Sequence, residues 1–381
     1  MQYRRMPGMT EELSILGFGC MRFPVTPEGN INEAEATEIL RYAIDNGVNY
    51  VDTAWSYHNE MSEPFVGRAL QNGYREKVNL ATKLPSWLIE KHEDMDFYLN
   101  EQLRRLRTDT IDFYLVHSLN RQRWDNMVQH DVFSFLERAK ADGRIRYGGF
   151  SFHGEYELFE DILNAWHWDF CQIQYNYLDE NYQAGTRGLK EAASRGLGVV
   201  IMEPLRGGKL AVNVPDTIQG IWKEAREEMS PAAWGLRWVW NHPEVSVVLS
   251  GMNSINQVKE NIAAAAKGIP GALSVHDLDV VARVKEEYKR RMKVDCTNCR
   301  YCMPCPQGVN IPECFNRYNM AFMFDDEKMA KDTYFVFVKD YERASLCVEC
   351  GACEEVCPQN LPICQQLKEV VSLFEKNKEE K

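Results

Sequence analysis

No apolar stretch in this 381-residue sequence reaches the ~18 residues that a membrane-crossing helix needs. Positive charge is also short: 44 Lys and Arg face 56 Asp and Glu, for a formal charge of −12. That balance argues against a nucleic-acid partner and leaves no basic patch for an anionic membrane surface. The first six residues are basic, but no apolar signal region follows them, so a cytoplasmic protein is expected. Low-complexity tracts are missing, and no glycine-rich dinucleotide fingerprint follows the first strand signal. Cysteine is nearly absent before residue 296, where only Cys20 and Cys171 occur; the other ten of the 12 lie beyond. In a reducing compartment such clustering points to metal rather than to disulfides.

What is present is alternation. Leu13–Leu16 reads as a first strand opening into a glycine-rich turn at 17–21. Strand signals at 48–52, 78–83, 111–116, 145–151, 170–174, 198–202 and 245–249 then alternate with helical periodicity at 32–46, 62–71, 97–106, 126–141, 156–166, 186–194, 216–240 and 255–267. The fold class is therefore α/β, a (β/α)8 TIM barrel with parallel strands. A punctuated link at 268–275 leads to a charged helix at 276–292. The expected organisation is a barrel over 1–275, a linking helix over 276–294, and a small, mainly α-helical domain over 295–381.

Three strands end in an ionisable residue where the apolar run stops: Asp52, Lys83 and His117, with Tyr57 on the loop after Asp52. Singly, each has an ordinary structural reading as a cap, a solvated charge or a packed ring. Together they can face one pocket, because catalysis in such barrels sits at the C-terminal ends of the strands. A tyrosine titrates near ~10, too high for easy proton donation, and a nearby ammonium lowers that value. An aspartate keeps the lysine charged, and a histidine beside the phenol can polarise a carbonyl oxygen.

In these four residues the chain resembles the aldo-keto reductases over roughly residues 1–270. The resemblance implies a barrel oxidoreductase that uses NADP or NAD, with NADP slightly favoured. It reduces an aldehyde or ketone to an alcohol, or the reverse, with Asp52, Tyr57, Lys83 and His117 as its tetrad. It also implies cofactor contacts from Gly19, Met21, Asp52, Ser151, Gln172, Met202, Leu205, Gly207, Gly251, Asn253, Gln257 and Asn261. A helix N-terminus after a barrel strand, as at 251–261, suits phosphate. The chain departs from the family pattern at Phe152, at Met202 where a tyrosine is common, and at Gly251 and Gln257 where some members carry cations. Trp55, Trp87, Leu119 and Trp124 are placed on loops of the active face, suggesting an apolar or planar-ring substrate surface.

The tail holds Cys296, Cys299, Cys302 and Cys305-Pro306, then Cys347, Cys350, Cys353 and Cys357-Pro358. Zinc usually takes two separated CxxC pairs, so four thiols in one run favour iron–sulfur. The second run has the spacing of bacterial ferredoxins, and the first is one residue short before Cys305. That resemblance implies a ferredoxin-like domain with two [4Fe-4S] clusters. One is held by Cys296, Cys299, Cys302 and Cys357, the other by Cys347, Cys350, Cys353 and Cys305. Cys314 and Cys364 read as buried thiols outside both sets. The partner expected is a small carbonyl or alcohol, with a redox protein as a further candidate; oligomeric state is open. A cluster-fed electron-transfer protein and a non-catalytic redox sensor are the competing functions.

Overall fold

The computed structural model describes residues 1–296, 298 and 300–376. The chain forms two compact units: Met1–Ala211 with Met229–His276, and Val212–Glu228 with the chain from Asp277 onward.

The first unit opens on a hairpin of β1 (Tyr3–Arg5) and β2 (Glu12–Ser14). There follow β3 (Leu16–Gly19), α1 (Glu33–Asp45), β4 (Tyr50–Asp52), α2 (Ser62–Ala69), β5 (Asn79–Leu84), α3 (His92–Leu106) and β6 (Ile111–Leu119). Next come α4 (Arg121–Gln129), α5 (Val132–Ala141), β7 (Ile145–Phe152), α6 (Tyr156–Ala165), β8 (Phe170–Gln174), α7 (Gly185–Ser194) and β9 (Gly198–Met202). The segment between β9 and the last strand holds α8 (Asp216–Trp222) and α9 (Pro231–Trp240), before β10 (Val247–Ser250) and α10 (Ile255–Ala266). Strands β3 to β10 form a closed parallel barrel in chain order, sealed where Val248 of β10 pairs with Leu16 of β3. The expected (β/α)8 architecture is present.

The barrel strand at the N-terminal end is not the expected one. Leu13 belongs to the hairpin, and the barrel strand runs through the residues read as a turn. Gly17 is glycine because a Cβ there would meet Leu249 at 2.8 Å and Val247 at 2.9 Å inside the barrel. The hairpin closes one end: Met6, Met9 and Leu13 pack with Tyr50, Phe113, Phe170, Val200 and Val247. Full burial of such a side chain contributes about 1.5–3 kcal/mol. Arg4 fastens the hairpin, donating to the carbonyls of Trp240 at 2.6 Å, His242 at 3.1 Å and Gly268 at 3.2 Å, and to that of Val245. The single helix expected over 126–141 is two helices. Asp131 breaks them with φ 55° and caps α5 by accepting from the Ser134 N–H.

The second unit is helical. It holds α11 (Val275–Arg290) from Asp277 on, then α12 (Ile311–Met323), α13 (Glu327–Phe337), α14 (Ala352–Glu355) and α15 (Ile363–Val370). Segment Val212–Glu228 groups with it, tied by the Arg283–Glu224 ion pair at 2.7 Å. Buried Asn319 on α12 steers the chain into the first cysteine run. Its Oδ1 accepts from the Lys293 and Val294 N–H groups, both at 2.9 Å, and its Nδ2 donates to Val294 O at 2.7 Å. Among the described residues, no helix is long and apolar enough to cross a membrane.

Candidate functional site

Neighbouring strands place the strand-end residues side by side. Asp52 ends β4, which pairs with β5 carrying Lys83, which pairs with β6 carrying His117. Lys83 is fully buried, and its Nζ donates to Asp52 Oδ1 at 2.7 Å, Asp52 Oδ2 at 2.8 Å and Thr53 O at 2.7 Å. The same ammonium lies 3.5 Å from the Tyr57 hydroxyl. Burial opposes charge on Lys83, but the Asp52 carboxylate overrides it and holds the ammonium above its ordinary pKa.

Tyr57 differs from the expectation. Its pKa lies above the ordinary phenol value, because desolvation outweighs the downward pull of Lys83. The lysine moderates the shift without reversing it. His117 is driven well below the ordinary imidazole value by burial, with the charges of Lys83 and Arg123 adding to the effect. It is therefore a neutral ring, edge-on to Tyr57 with centroids 6.3 Å apart. Its buried Nδ1 has no hydrogen-bond partner among the described residues.

Part of the scaffold was not legible from the sequence. Buried Glu63, six residues after Tyr57, accepts from Thr82 Oγ1 and Gln102 Nε2, both at 2.6 Å. Gln102 Nε2 also donates to Lys83 O at 2.9 Å, so this network braces β5 where Lys83 sits. His58 accepts the Phe23 N–H at 3.2 Å and links the Tyr57 loop to the loop after β3.

Of the residues expected at the cofactor, Gly19, Asp52, Ser151, Gln172 and Met202 stand on β3, β4, β7, β8 and β9, Met21, Leu205, Gly207, Gly251 and Asn253 on the connections after β3, β9 and β10, and Gln257 and Asn261 on α10. Ser151 Oγ accepts the Ser118 N–H at 2.6 Å, and the Gln172 amide nitrogen lies 3.6 Å from Met202 Sδ. Gln172 Oε1 is buried with no partner among the described residues, which fits a donor such as a carboxamide. Gly19 abuts the Ser250–Gly251 backbone. Met21 is exposed, whereas Leu205 and Gly207 bracket a tight turn with φ 67° at Gly207. Arg22 was not singled out, yet a Cβ at Gly251 or Gly207 would meet its side chain at 3.0 Å. Its place three residues after Gly19 was the available signal. Two of the residues expected at the cofactor also bond within the protein. Gln257 Oε1 accepts the Asn253 N–H at 2.9 Å, and buried Asn261 donates to Ser250 Oγ at 3.0 Å, so both brace the loop between β10 and α10.

Of the aromatic surface, little faces outward. Leu119 is a buried residue of β6, Trp55 packs under Arg105 with 3.5 Å to the ring centroid, and Trp124 is buried beside Phe133. Only Trp87 of the four is exposed, at 38%.

In the second unit, Cys296, Cys302 and Cys357 line one small cavity with Ile311, Pro312, Phe315, Leu361 and Ile363. Cys299 lies outside the described residues. Cys314 is buried as expected, 3.9 Å from Tyr334 Oη. Cys364 is half-buried, not buried.

Residues 15–270 match the model of the Aldo/keto reductase family. The chain belongs to the aldo/keto reductase family. Residues 295–361 match a 4Fe-4S dicluster domain, so this reductase carries an iron–sulfur unit at its C-terminal end. It is 27% identical over 297 residues to a probable aldo-keto reductase of Glycine max, covering 67% of this chain and 82% of that protein. It is 25% identical over 283 residues to an L-galactose dehydrogenase of Arabidopsis thaliana, covering 67% of this chain and 85% of that one. Among solved structures, the holo form of an aldo-keto reductase from Bacillus halodurans superposes with a TM-score of 0.63 at 26% identity, covering 74% of this chain and 96% of that one. A Klebsiella pneumoniae aldo-keto reductase in complex with NADPH gives 0.63 at 25% identity, covering 75% and 96%. The protein is an oxidoreductase of the aldo/keto reductase type.

Proposed function

We propose that the barrel reduces an aldehyde or ketone to an alcohol with NADPH as reductant, and that the C-terminal unit holds two [4Fe-4S] clusters. The observation that carries the first part is the buried Lys83 ammonium, shared between Asp52 and the Tyr57 hydroxyl. When bound, the nicotinamide supplies hydride to the carbonyl carbon. Tyr57 gives its proton to the carbonyl oxygen, and Lys83 stabilises the phenolate left behind. Neutral His117 orients that oxygen through its ring nitrogen. Ser151 and Gln172 would hold the carboxamide, and the loops at Gly19, Met21, Met202, Leu205, Gly207 and Gly251–Asn253 the rest of the dinucleotide. NADPH is preferred over NADH because a solved relative binds it. Arg22 beside Gly251 also supplies a cation where the sequence has none at 251 or 257.

For the clusters, the shared cavity of Cys296, Cys302 and Cys357 supports the crossed arrangement in which Cys357 of the second run serves the first. The second cluster takes Cys347, Cys350, Cys353 and Cys305.

The test is NADPH oxidation by an aldehyde series with anaerobically purified protein. Tyr57→Phe should lower turnover by a factor on the order of 10²–10⁴, with NADPH binding retained. Undiminished reduction by the variant would remove Tyr57 from the mechanism.

A further inference from the structure

The loop that follows His117 carries a cation that the proposed hydride chemistry does not use. Arg123 sits in the first turn of α4, whose N-cap, Asn120, accepts its backbone N–H at 2.9 Å. Its guanidinium is half-buried and lies 5.2 Å from the centroid of the Trp87 ring. The Trp87 ring in turn lies 5.2 Å from that of His117. Nη1 is engaged, donating to Ser118 O at 2.9 Å and Ser118 Oγ at 2.6 Å. Among the described residues, no carboxylate pairs with Arg123, and its Nε and Nη2 have no hydrogen-bond partner. Its charge reaches the site all the same. It helps to hold His117 neutral.

The charge balance makes this arrangement unusual. Lys83 is matched by Asp52, while His117 is neutral. Arg123 is thus an unmatched cation beside the proposed carbonyl site. Desolvation already works against it, lowering its pKa. A half-buried guanidinium without a counter-charge is costly unless an anion arrives. The engaged Nη1 leaves the Nε–Nη2 edge, and that edge is the fork that grips a carboxylate with two parallel hydrogen bonds. Trp87, the exposed member of the aromatic set, stands against the guanidinium only at 5.2 Å, which leaves the Nε–Nη2 edge open to a ligand.

We propose that Arg123 binds a carboxylate on the substrate, so that the reductase acts on carbonyl compounds that carry an acid group. This rests on the carbonyl-reductase reading above and names the substrate class for it. The competing role is structural: Ser118 has φ 56° at the irregularity near the end of β6, which Arg123 would then serve only to hold.

Matched substrates separate the two roles. Full-length holoprotein is assayed with NADPH and either 4-carboxybenzaldehyde or methyl 4-formylbenzoate, which differ in one charge. The acid should be favoured in kcat/KM by a factor on the order of 10–10², the worth of a charge-assisted contact. In Arg123→Met that ratio should fall to about one, and Arg123→Lys should keep part of it. A structural role would change both substrates alike and leave the ratio intact. A ratio near one in the parent protein, or one unaltered in Arg123→Met, overturns the proposal. Terephthalate binding in the presence of NADP+, read by calorimetry, runs beside the assay. If no aldehyde is reduced, the carbonyl-reductase reading fails by itself. Terephthalate bound by the parent and by Arg123→Lys but lost in Arg123→Met would still support the anion site. Absent or equal binding in parent and Arg123→Met would refute it.

Discussion

Lys83→Met is the sharpest test of how the site is built. The lysine and Asp52 side chains are 0% and 2% exposed, and two of the lysine's hydrogen bonds go to the one carboxylate. Removing the cation leaves an anion in the barrel interior with no counter-charge. Breaking a buried pair from one side costs about 3–5 kcal/mol. The deficit should depend on pH. Burial already raises Asp52 above the ordinary carboxylate value of about 4, and without its partner it should titrate higher still, because desolvation then acts unopposed. The folded form would hold a proton that the unfolded form releases, so the variant loses stability as pH rises from about 4 toward that higher value. Unfolding in urea, followed by tryptophan fluorescence, should show a small deficit near pH 4.5 and a large one at pH 7.5. Adding Asp52→Asn removes the stranded charge and should recover most of the loss, with a coupling energy of about 2–3 kcal/mol. A Lys83→Met protein within about 1 kcal/mol of the parent at both pH values, or losses that simply add, would refute the buried ion pair as the organising contact.

The rate of carbonyl reduction should fall only as pH rises through the raised Tyr57 value, and Lys83→Met should move that basic limb to still higher pH; a limb that stays in place would break the pairing. With His117 neutral well below its ordinary range, the rate should stay flat between about pH 6 and 7, where a free imidazole titrates; a step there would show that His117 carries the acid form. Arg4→Met should cost about 2–4 kcal/mol, because carbonyls at 240, 242, 245 and 268 lose a charged donor. Calorimetric or denaturant stability at the parent's level would remove the hairpin's fastening role. Anaerobic protein should contain about eight irons and eight sulfides per chain if two cubanes are present; stoichiometric zinc without sulfide would overturn that.

The barrel was legible because its strands are short apolar runs that stop at a polar residue, and the alternation with helices leaves few other topologies. The strand-end position of Asp52, Lys83 and His117 is a local feature, visible in one dimension. The errors have a common cause. Gly17 and Gly19 read as a turn, yet Gly17 is small because Leu249 and Val247 press on it from more than two hundred residues away. The break at Asp131 has no glycine or proline to announce it. Glu63 and Arg123 look like ordinary helix charges in sequence. Only the fold shows that one is buried under β5 and that the other, across Trp87 from His117, has no carboxylate partner among the described residues. The tyrosine's pKa was misjudged for a related reason: the lysine's charge is readable from sequence, and the depth of burial is not.

That misjudgement changes what Lys83 is for in the proposed reaction. If the ammonium pulled the phenol down to neutral pH, Tyr57 would spend much of its time as phenolate, with no proton to give. Burial instead keeps the phenol protonated across the working range. A raised pKa is no obstacle at the moment of transfer, because the alkoxide forming on the substrate is a far stronger base than a phenolate, and the proton still moves downhill. The cost falls on what remains, a phenolate in a partly buried site. There the ammonium 3.5 Å away acts, since its attraction for a new anion is far stronger in a buried site than in water. Asp52 has kept that ammonium charged beforehand, so no reorganisation is needed when the charge appears. On this account Lys83 stabilises the product of proton transfer rather than preparing the acid, and the contact is worth most in the transition state, where it raises turnover.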